Sequence, residues 1–368
     1  MQPTYDIHQS YDANYAAGPR FDLPLPEPRI GKPTAKFLGH RVTTPFGVPA
    51  GPLLNSDWIR LYARLGFDLL VYKTVRSAAQ PCHPLPNCLY LDLDRPLTEA
   101  DQGGAVAALA DQATIPPHLS ITNSFGMPSR PPAEWQADLA QAIDAVGEGQ
   151  VVVASVVGSA ATGDLVADFG RVVAMAAEVH PHAIEINLSC PNVAAGEGVL
   201  FHDPEQAGRV AWRAWSEAGS IPLVIKIGYL ADPARLEAVM AACGPFIQGV
   251  AAINTIPMAV HDRTGHPALG PGRPTSGVCG EAIRDLALKQ VRRLVAVRTR
   301  LGMEWSILGV GGITTPADID TFLAAGADGA MAATGAMWNP LLAQQWWALH
   351  HEGIGEKGRG GRGEGERG

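Results

Sequence analysis

Cysteine is scarce in this chain, and a long hydrophobic run is missing. Five cysteines among 368 residues form an odd, sparse set, which argues against a disulfide framework and fits a reducing compartment. No stretch reaches the about 18 consecutive apolar residues that span a bilayer. The N-terminus, M-Q-P-T-Y-D-I-H, lacks the basic start and apolar core of a secretion signal. We therefore expect a cytoplasmic protein without a membrane segment.

Positive charge is not in excess either. The formal net charge is −8 and the pI is about 5.8, which argues against a basic nucleic-acid surface. With 46% hydrophobic and 17% charged residues, the composition is that of a globular protein. Residues 1–35 are rich in proline and polar groups and predict an irregular arm. Residues 352–368, rich in Gly, Arg and Glu, have little to bury and predict a disordered tail.

Between these ends, residues 36–351 alternate short apolar runs with amphipathic stretches. Each run is bounded by Gly, Pro or Asn, as buried parallel strands are. The runs are Pro45–Gly51, Phe67–Thr74, Val151–Val157, Ala183–Cys190, Leu223–Gly228, Gly249–Thr255, Ser306–Ile313 and Gly329–Gly335. Helices are predicted at Pro132–Val146, Thr162–Val179, Pro204–Ala218, Pro233–Ala242, Glu281–Leu301, Pro316–Ala325 and Pro340–His350. Eight strands alternating with helices predict an α/β fold, a (β/α)₈ TIM barrel.

A long insertion follows the second predicted strand. Residues 75–131 show little helical periodicity, and loops of this length are typically functional or disordered. Because active sites of such barrels lie at the C-terminal ends of the strands, we expect the insertion to cover that face.

Residues at the predicted strand ends have the chemistry of a ligand site. Lys73 and Lys226 lie in otherwise apolar strands, where a lysine is rare unless it faces a partner or an anionic ligand. A Gly-Gly pair follows strand seven and a Thr-Gly pair follows strand eight, which is the usual phosphate-binding corner of a barrel. These positions are Gly311, Gly312, Thr334 and Gly335, with Gly277 as a further source of backbone donors.

Four amides are also expected at this face: Asn123, Asn187, Asn192 and Asn254. Asn presents a donor and an acceptor together, which suits a planar, imide-like ligand such as a pyrimidine. With a phosphate corner, two lysines and the thiol of Cys190, this set predicts bound flavin mononucleotide (FMN) beside a flat substrate. Lys226 would stabilise negative charge on the reduced ring.

Seven motifs stand out along the chain: E-I-N-L-S-C-P-N (185–192), K-T (73–74), N-S-F-G-M (123–127), V-I-K-I-G (224–228), A-I-N-T (252–255), S-G-V-C-G-E-A-I-R (276–284) and G-V-G-G-I (309–313). Together these motifs resemble the dihydroorotate dehydrogenase family. They cover about residues 36–340 in the expected order. The cysteine at position 190 is similar to the class 1, cysteine-type members.

The resemblance implies a flavoprotein that oxidises dihydroorotate to orotate in pyrimidine biosynthesis. Cys190 would take a proton from C5 while hydride leaves C6 for flavin N5. The substrate residues implied are Asn123, Asn187, Asn192, Asn254, Thr255 and Lys73. The cofactor residues implied are Ala50, Gly51, Lys73, Thr74, Lys226, Gly277, Gly311, Gly312, Thr334 and Gly335. A homodimer is implied, and an electron-transfer subunit with FAD and an iron–sulfur cluster is compatible with it.

Some positions depart from the family pattern or leave alternatives open. Ser155 stands where relatives often have an Asn against the flavin, and Thr334-Gly335 reverses the usual Gly-Thr. The stretch after strand six resembles the NAD-linked class 1 branch and the dihydropyrimidine dehydrogenases, so dihydrouracil or dihydrothymine is an alternative substrate. A non-catalytic flavin-binding barrel is the third hypothesis.

Cys82, His83 and Cys88 lack the residue spacing of an iron–sulfur cluster, and we expect no metal. The electron acceptor (fumarate, NAD or a quinone) is left open by the sequence.

Overall fold

A computed structural model describes residues 2–27, 29, 31–189 and 200–351. Its centre is a closed barrel of eight parallel strands, in which consecutive barrel strands are neighbours and the last pairs with the first. The strands are β1 Phe46–Val48, β2 Leu69–Val75, β3 Val151–Val156, β4 Ala183–Asn187, β5 Leu223–Ile227, β6 Gly249–Ala252, β7 Ser306–Val310 and β8 Gly329–Met331. The predicted TIM barrel is confirmed.

Helices lie between the barrel strands and at both ends of the chain. They are α1 Tyr11–Ala17, α2 Ser56–Arg64, α3 Pro132–Asp144, α4 Leu165–Ala177, α5 Pro204–Ala218, α6 Pro233–Cys243, α7 Arg284–Leu301, α8 Pro316–Ala324, α9 Thr334–Trp338 and α10 Leu342–His351. Several begin as their sequences predict, because an Asp or Thr side chain caps the first turn and a Pro follows it. Asp203, Asp232 and Thr315 play this part for α5, α6 and α8.

The insertion after β2 forms a second layer. Its strands join two from the segment after β6 in a five-stranded sheet, which we call the cap sheet. In spatial order these strands are Cys88–Tyr90, Ser120–Asn123, Thr275–Gly280, Ile256–His261 and Ala105–Ala107. At the other end of the barrel, the antiparallel strands Ala35–Phe37 and His40–Val42 form a hairpin. Phe37 and Val42 belong to the buried cluster that also contains the barrel-interior side chains, so the hairpin closes that end.

The interior of the barrel changes from apolar to polar along its axis. Alternate residues of a strand face opposite sides, and Leu69, Val71, Val151, Val153 and Val224 form part of one buried interior cluster. The next positions of the same parity toward the C-terminal end are Lys73, Ser155, Glu185 and Lys226, and all four are buried. The polar end of the barrel interior is therefore the end covered by the cap sheet.

Three details of the sequence prediction are corrected. The arm is not irregular throughout, because Ser10 caps α1 and Gly18 ends it with a φ of +75°. Helix α2, which was not predicted, is capped by Asn55. β8 ends at Met331 rather than Gly335, so Thr334 and Gly335 begin α9. The predicted disordered tail lies outside the described residues, and the three-part division of the chain stays a prediction.

Candidate active site

A cavity lies at the C-terminal end of the barrel, between the strand ends, the cap sheet and the N-terminal arm. Its volume is about 1270 Å³, counting the space open to solvent. Apart from Gly277, every predicted site residue that the structure describes lines this cavity. These residues are Ala50, Gly51, Lys73, Thr74, Asn123, Asn187, Lys226, Asn254, Thr255, Gly311, Gly312, Thr334 and Gly335. The polar positions predicted from separate motifs are thus brought together.

Lys73 and Thr74 both line the cavity although they are adjacent in one strand. Adjacent side chains of a regular strand face opposite sides. Here the register between β2 and β3 shifts between Tyr72 and Val75, so that one extra residue of β2 is accommodated as a bulge. The bulge lets two neighbouring polar side chains face the same site.

Lys226 is buried at 3% exposure and lies on β5, beside β4. Burial lowers the pKa of its ammonium group, and the charge of Glu185 opposes that shift. Glu185 accepts a hydrogen bond from Ser155 Oγ at 2.9 Å, and Ser155 Oγ lies 2.9 Å from Thr74 Oγ1. A polar chain therefore runs from the cavity wall at Thr74 down into the barrel.

The described amides come from three different elements. Asn187 ends β4, and its Oδ1 accepts from the Ser189 backbone N–H at 3.1 Å. Asn254, in the loop after β6, donates to the Ser189 carbonyl at 2.8 Å, which ties these two loops together. Asn123, in the cap sheet, donates to Cys279 Sγ at 3.4 Å. Three amides thus surround one cavity from the barrel and from its cover.

The glycines after β7 and in α9 allow close backbone approach. Gly312 has a φ of +75°, and a Cβ there would lie 2.4 Å from the Arg284 Cβ. A Cβ at Gly335 would lie 2.0 Å from the Ile313 carbonyl oxygen. No residue with a side chain fits these two positions without displacing the neighbouring chain at Arg284 or at Ile313.

Gly277 is the exception among the predicted residues. It does not line the cavity; it lies in the cap sheet, where a Cβ would be 2.2 Å from Thr255 Oγ1. Its small size lets the sheet approach Thr255, and its contact with the cofactor stays a prediction. Cys190 and Asn192 lie outside the described residues, so their predicted roles stay predictions.

The four described cysteines are free. Burial raises the pKa of Cys82 to about 11, of Cys243 to about 12 and of Cys279 to about 11, and it raises the pKa of Cys88 well above its usual value. Cys88 and Cys279 line the cavity, but both are protonated at neutral pH. Neither is a ready base. Among the described residues, no three His, Cys, Asp or Glu side chains gather as a metal site.

The N-terminal arm supplies part of the wall, which sequence reasoning missed. Tyr5 and Tyr11 line the cavity, and the Tyr5 ring meets Phe125 of the insertion edge-on, with centroids 5.8 Å apart. The arm is held by the Thr4 backbone N–H, which donates to the Met337 carbonyl at 2.9 Å. The capping Ser10 and the closing Gly18 could have indicated the helix, but no local signal places it over the barrel.

Tyr5→Ala is expected to lower flavin retention about tenfold, because it removes an aromatic part of the cavity wall while the rest of the arm stays. The flavin-to-protein ratio after gel filtration measures this, and circular dichroism monitors the fold. The control is Tyr15→Phe, since Tyr15 belongs to the arm but lies outside the cavity wall. Equal flavin content in Tyr5→Ala and the unsubstituted protein would remove the arm from the site.

Comparison with known proteins decides the family. A family model described as dihydroorotate dehydrogenase matches residues 113–345. A dihydroorotate dehydrogenase from Dictyostelium discoideum is 40% identical over 357 residues, covering 94% of this chain and 96% of the relative. The chain belongs to the dihydroorotate dehydrogenase family. The expectation of a class 1 member is confirmed, and the family is flavin-dependent.

Other members of the dihydroorotate dehydrogenase family match a smaller part of the chain. The catalytic subunit of dihydroorotate dehydrogenase B (NAD(+)) from Listeria monocytogenes serovar 1/2a is 33% identical over 162 residues, which is 44% of this chain and 50% of the relative. The corresponding subunit from Bacillus pumilus is 30% identical over 163 residues. Within the described residues, none of the helices combines the length and the apolar character needed to cross a bilayer.

Proposed function

We propose that this chain is an FMN-dependent dihydroorotate dehydrogenase that oxidises dihydroorotate to orotate in pyrimidine biosynthesis. The near full-length similarity to a dihydroorotate dehydrogenase supports the reaction. The observation that carries the assignment to this site is the convergence of lysines, amides and glycines from separate strands on one cavity. Barrel enzymes place their chemistry at this end of the strands.

The residues of the cavity fit FMN. Gly312 and Gly335 leave the backbone open after β7 and at the start of α9, where a phosphate can receive backbone N–H groups. The buried Lys226 offers a positive charge deep in the site. We assign the cofactor to Ala50, Gly51, Lys73, Thr74, Lys226, Gly311, Gly312, Thr334 and Gly335.

Bound FMN supplies the acceptor for the hydride from C6 of the substrate. We assign Cys190 as the base that takes the C5 proton, and the raised pKa values of Cys88 and Cys279 leave neither cavity thiol ready for that task. Asn123, Asn187, Asn192, Asn254 and Thr255 hold the flat ring, since amides pair with imide edges. The cap sheet excludes water from the reacting atoms.

An anaerobic bleaching experiment tests this proposal. The purified protein should be yellow, and mass spectrometry of the released flavin should identify FMN. Dihydroorotate, dihydrouracil and dihydrothymine are then added separately, and the flavin absorbance is followed. We expect bleaching with dihydroorotate. Bleaching by dihydrouracil alone would reverse the choice of substrate, and a protein that takes up no flavin would reject the enzyme assignment.

We also propose a homodimer, which sedimentation equilibrium tests directly.

Steady-state assays with fumarate, NAD or a quinone identify the electron acceptor. Turnover with NAD only after a flavin- and iron–sulfur-containing subunit is added would assign the chain to the two-subunit type. We also propose a cytoplasmic location, which the sparse and odd set of five cysteines favours.

A further inference from the structure

Ser155 and Glu185, the two residues of the polar chain that lie below Thr74, do not line the cavity. Thr74 and Lys226 line the wall, whereas Ser155 and Glu185 lie beneath it, at 0% and 1% exposure. Because Ser155 has one hydroxyl hydrogen and donates it to Glu185, it accepts from Thr74 Oγ1. Thr74 thus donates to Ser155, and Ser155 donates to the carboxylate, so that one hydroxyl orients Glu185 directly and the other holds that hydroxyl in place.

Glu185 and Lys226 are interior residues of neighbouring strands. In the register of β4 with β5, Glu185 pairs with Val224 and Asn187 pairs with Lys226. Lys226 therefore lies two residues further along the barrel axis than Glu185, and both side chains face the barrel interior. Burying a lone carboxylate or a lone ammonium group is strongly unfavourable, whereas opposite charges stabilise each other inside a protein. The register therefore places an opposite charge on the strand next to the buried Lys226.

Among the residues that the structure describes, few other charges face Lys226. The neighbouring strand β6, Gly249–Ala252, carries no charged residue, and Lys73 approaches the same cavity from β2 with the same sign of charge. Glu185 is the group whose charge opposes the effect of burial on the pKa of Lys226. Without that carboxylate, burial and Lys73 would both favour the neutral amine.

We propose that Glu185 is a positioning residue of this site: its carboxylate, oriented by Ser155 and Thr74, holds Lys226 as a charged ammonium group facing the bound cofactor. This rests on the proposed FMN site. It also accounts for the serine at position 155. The Ser155 side chain does not contact the cavity, and its role is to bond Glu185 rather than the flavin.

The test is a titration of apoprotein with FMN, followed by flavin fluorescence at a series of pH values. Glu185→Gln keeps the shape and the bond to Ser155 but removes the charge. We expect the Kd for FMN to rise about tenfold near pH 8, since a charge of this kind is equivalent to about one pKa unit or one decade in affinity. Affinity should fall as pH rises through the pKa of Lys226, and this fall should begin at lower pH in the variant.

A second readout separates the charge from mere packing. The midpoint potential of bound FMN should become more negative in Glu185→Gln, because less positive charge remains near the ring. Glu185→Asp, which keeps the charge, should restore most of the pH profile. Ser155→Ala, which leaves the carboxylate but not its orientation, should show a smaller change in the same direction.

Glu205→Gln, on the exposed first turn of α5, is the matched control and should not differ from the unsubstituted protein. If Glu185→Gln binds FMN with an unchanged pH profile and potential, the positioning role is rejected while the proposed function stands. If Glu185→Gln does not fold, an unchanged Ser155→Ala profile rejects the role equally. If the unsubstituted apoprotein takes up no FMN, the proposed function itself fails.

Discussion

Cys190→Ser is expected to keep its bound flavin. Reduction of that flavin by dihydroorotate should be slower by a factor of at least about one hundred at pH 7. A thiol with an ordinary pKa near 8.5 is a few per cent thiolate at neutral pH, whereas a serine hydroxyl holds its proton far more tightly. Stopped-flow measurement of flavin bleaching under anaerobic conditions gives the rate of this single step. Flavin content should be unchanged because the role assigned to Cys190 is toward the substrate.

The pH dependence distinguishes a base from a residue that only fills space. In the unsubstituted protein, the rate of flavin reduction should rise with pH until the thiol has titrated. Cys190→Ser should lack that rise near the thiol pKa. Cys82→Ser is the control, since Cys82 does not line the cavity and its pKa is raised to about 11. Equal rates for Cys190→Ser and the unsubstituted protein at every pH would remove Cys190 from the reaction.

The barrel strands were predictable because each is a short apolar run bounded by turn residues. Their ends were less predictable. The run Gly329–Gly335 is apolar beyond the strand, yet β8 stops at Met331 and α9 begins at Thr334. Apolar character indicates burial and not hydrogen-bond pairing, so a pattern alone extends a strand into the loop that follows it.

The site shows the same division between local and non-local information. Lys73 and Thr74 were both predicted as site residues from the resemblance, but only the bulge in β2 explains how neighbours share one face. Ser155 departs from the family pattern, in which an Asn often lies against the flavin, and the structure places Ser155 below the cavity. Tyr5 and Tyr11 were not predicted as site residues, because the contact between the arm and a cavity distant in sequence produces no recognisable residue spacing.

Lys226→Met is expected to destabilise the apoprotein by about 3 kcal/mol, because it leaves the buried carboxylate of Glu185 without the opposite charge on the neighbouring strand. It should also weaken FMN binding, since Lys226 lines the cavity. Urea unfolding of apoprotein measures the first effect, and fluorescence titration with FMN measures the second. Lys36→Met, at an exposed position of the hairpin, is the control and should change neither quantity.

The double variant Lys226→Met/Glu185→Gln separates stability from chemistry. Replacing both buried charges removes the unpaired carboxylate, so most of the lost free energy of unfolding should return. Flavin reduction by dihydroorotate should be slow in Lys226→Met and in the double variant alike, because both lack the positive charge of Lys226 in the cavity wall. Recovery of both properties would show that Lys226 serves only to neutralise Glu185. Recovery of neither would show that the two side chains do not act as a pair, since a coupled pair loses less when both members are replaced than the sum of the single losses.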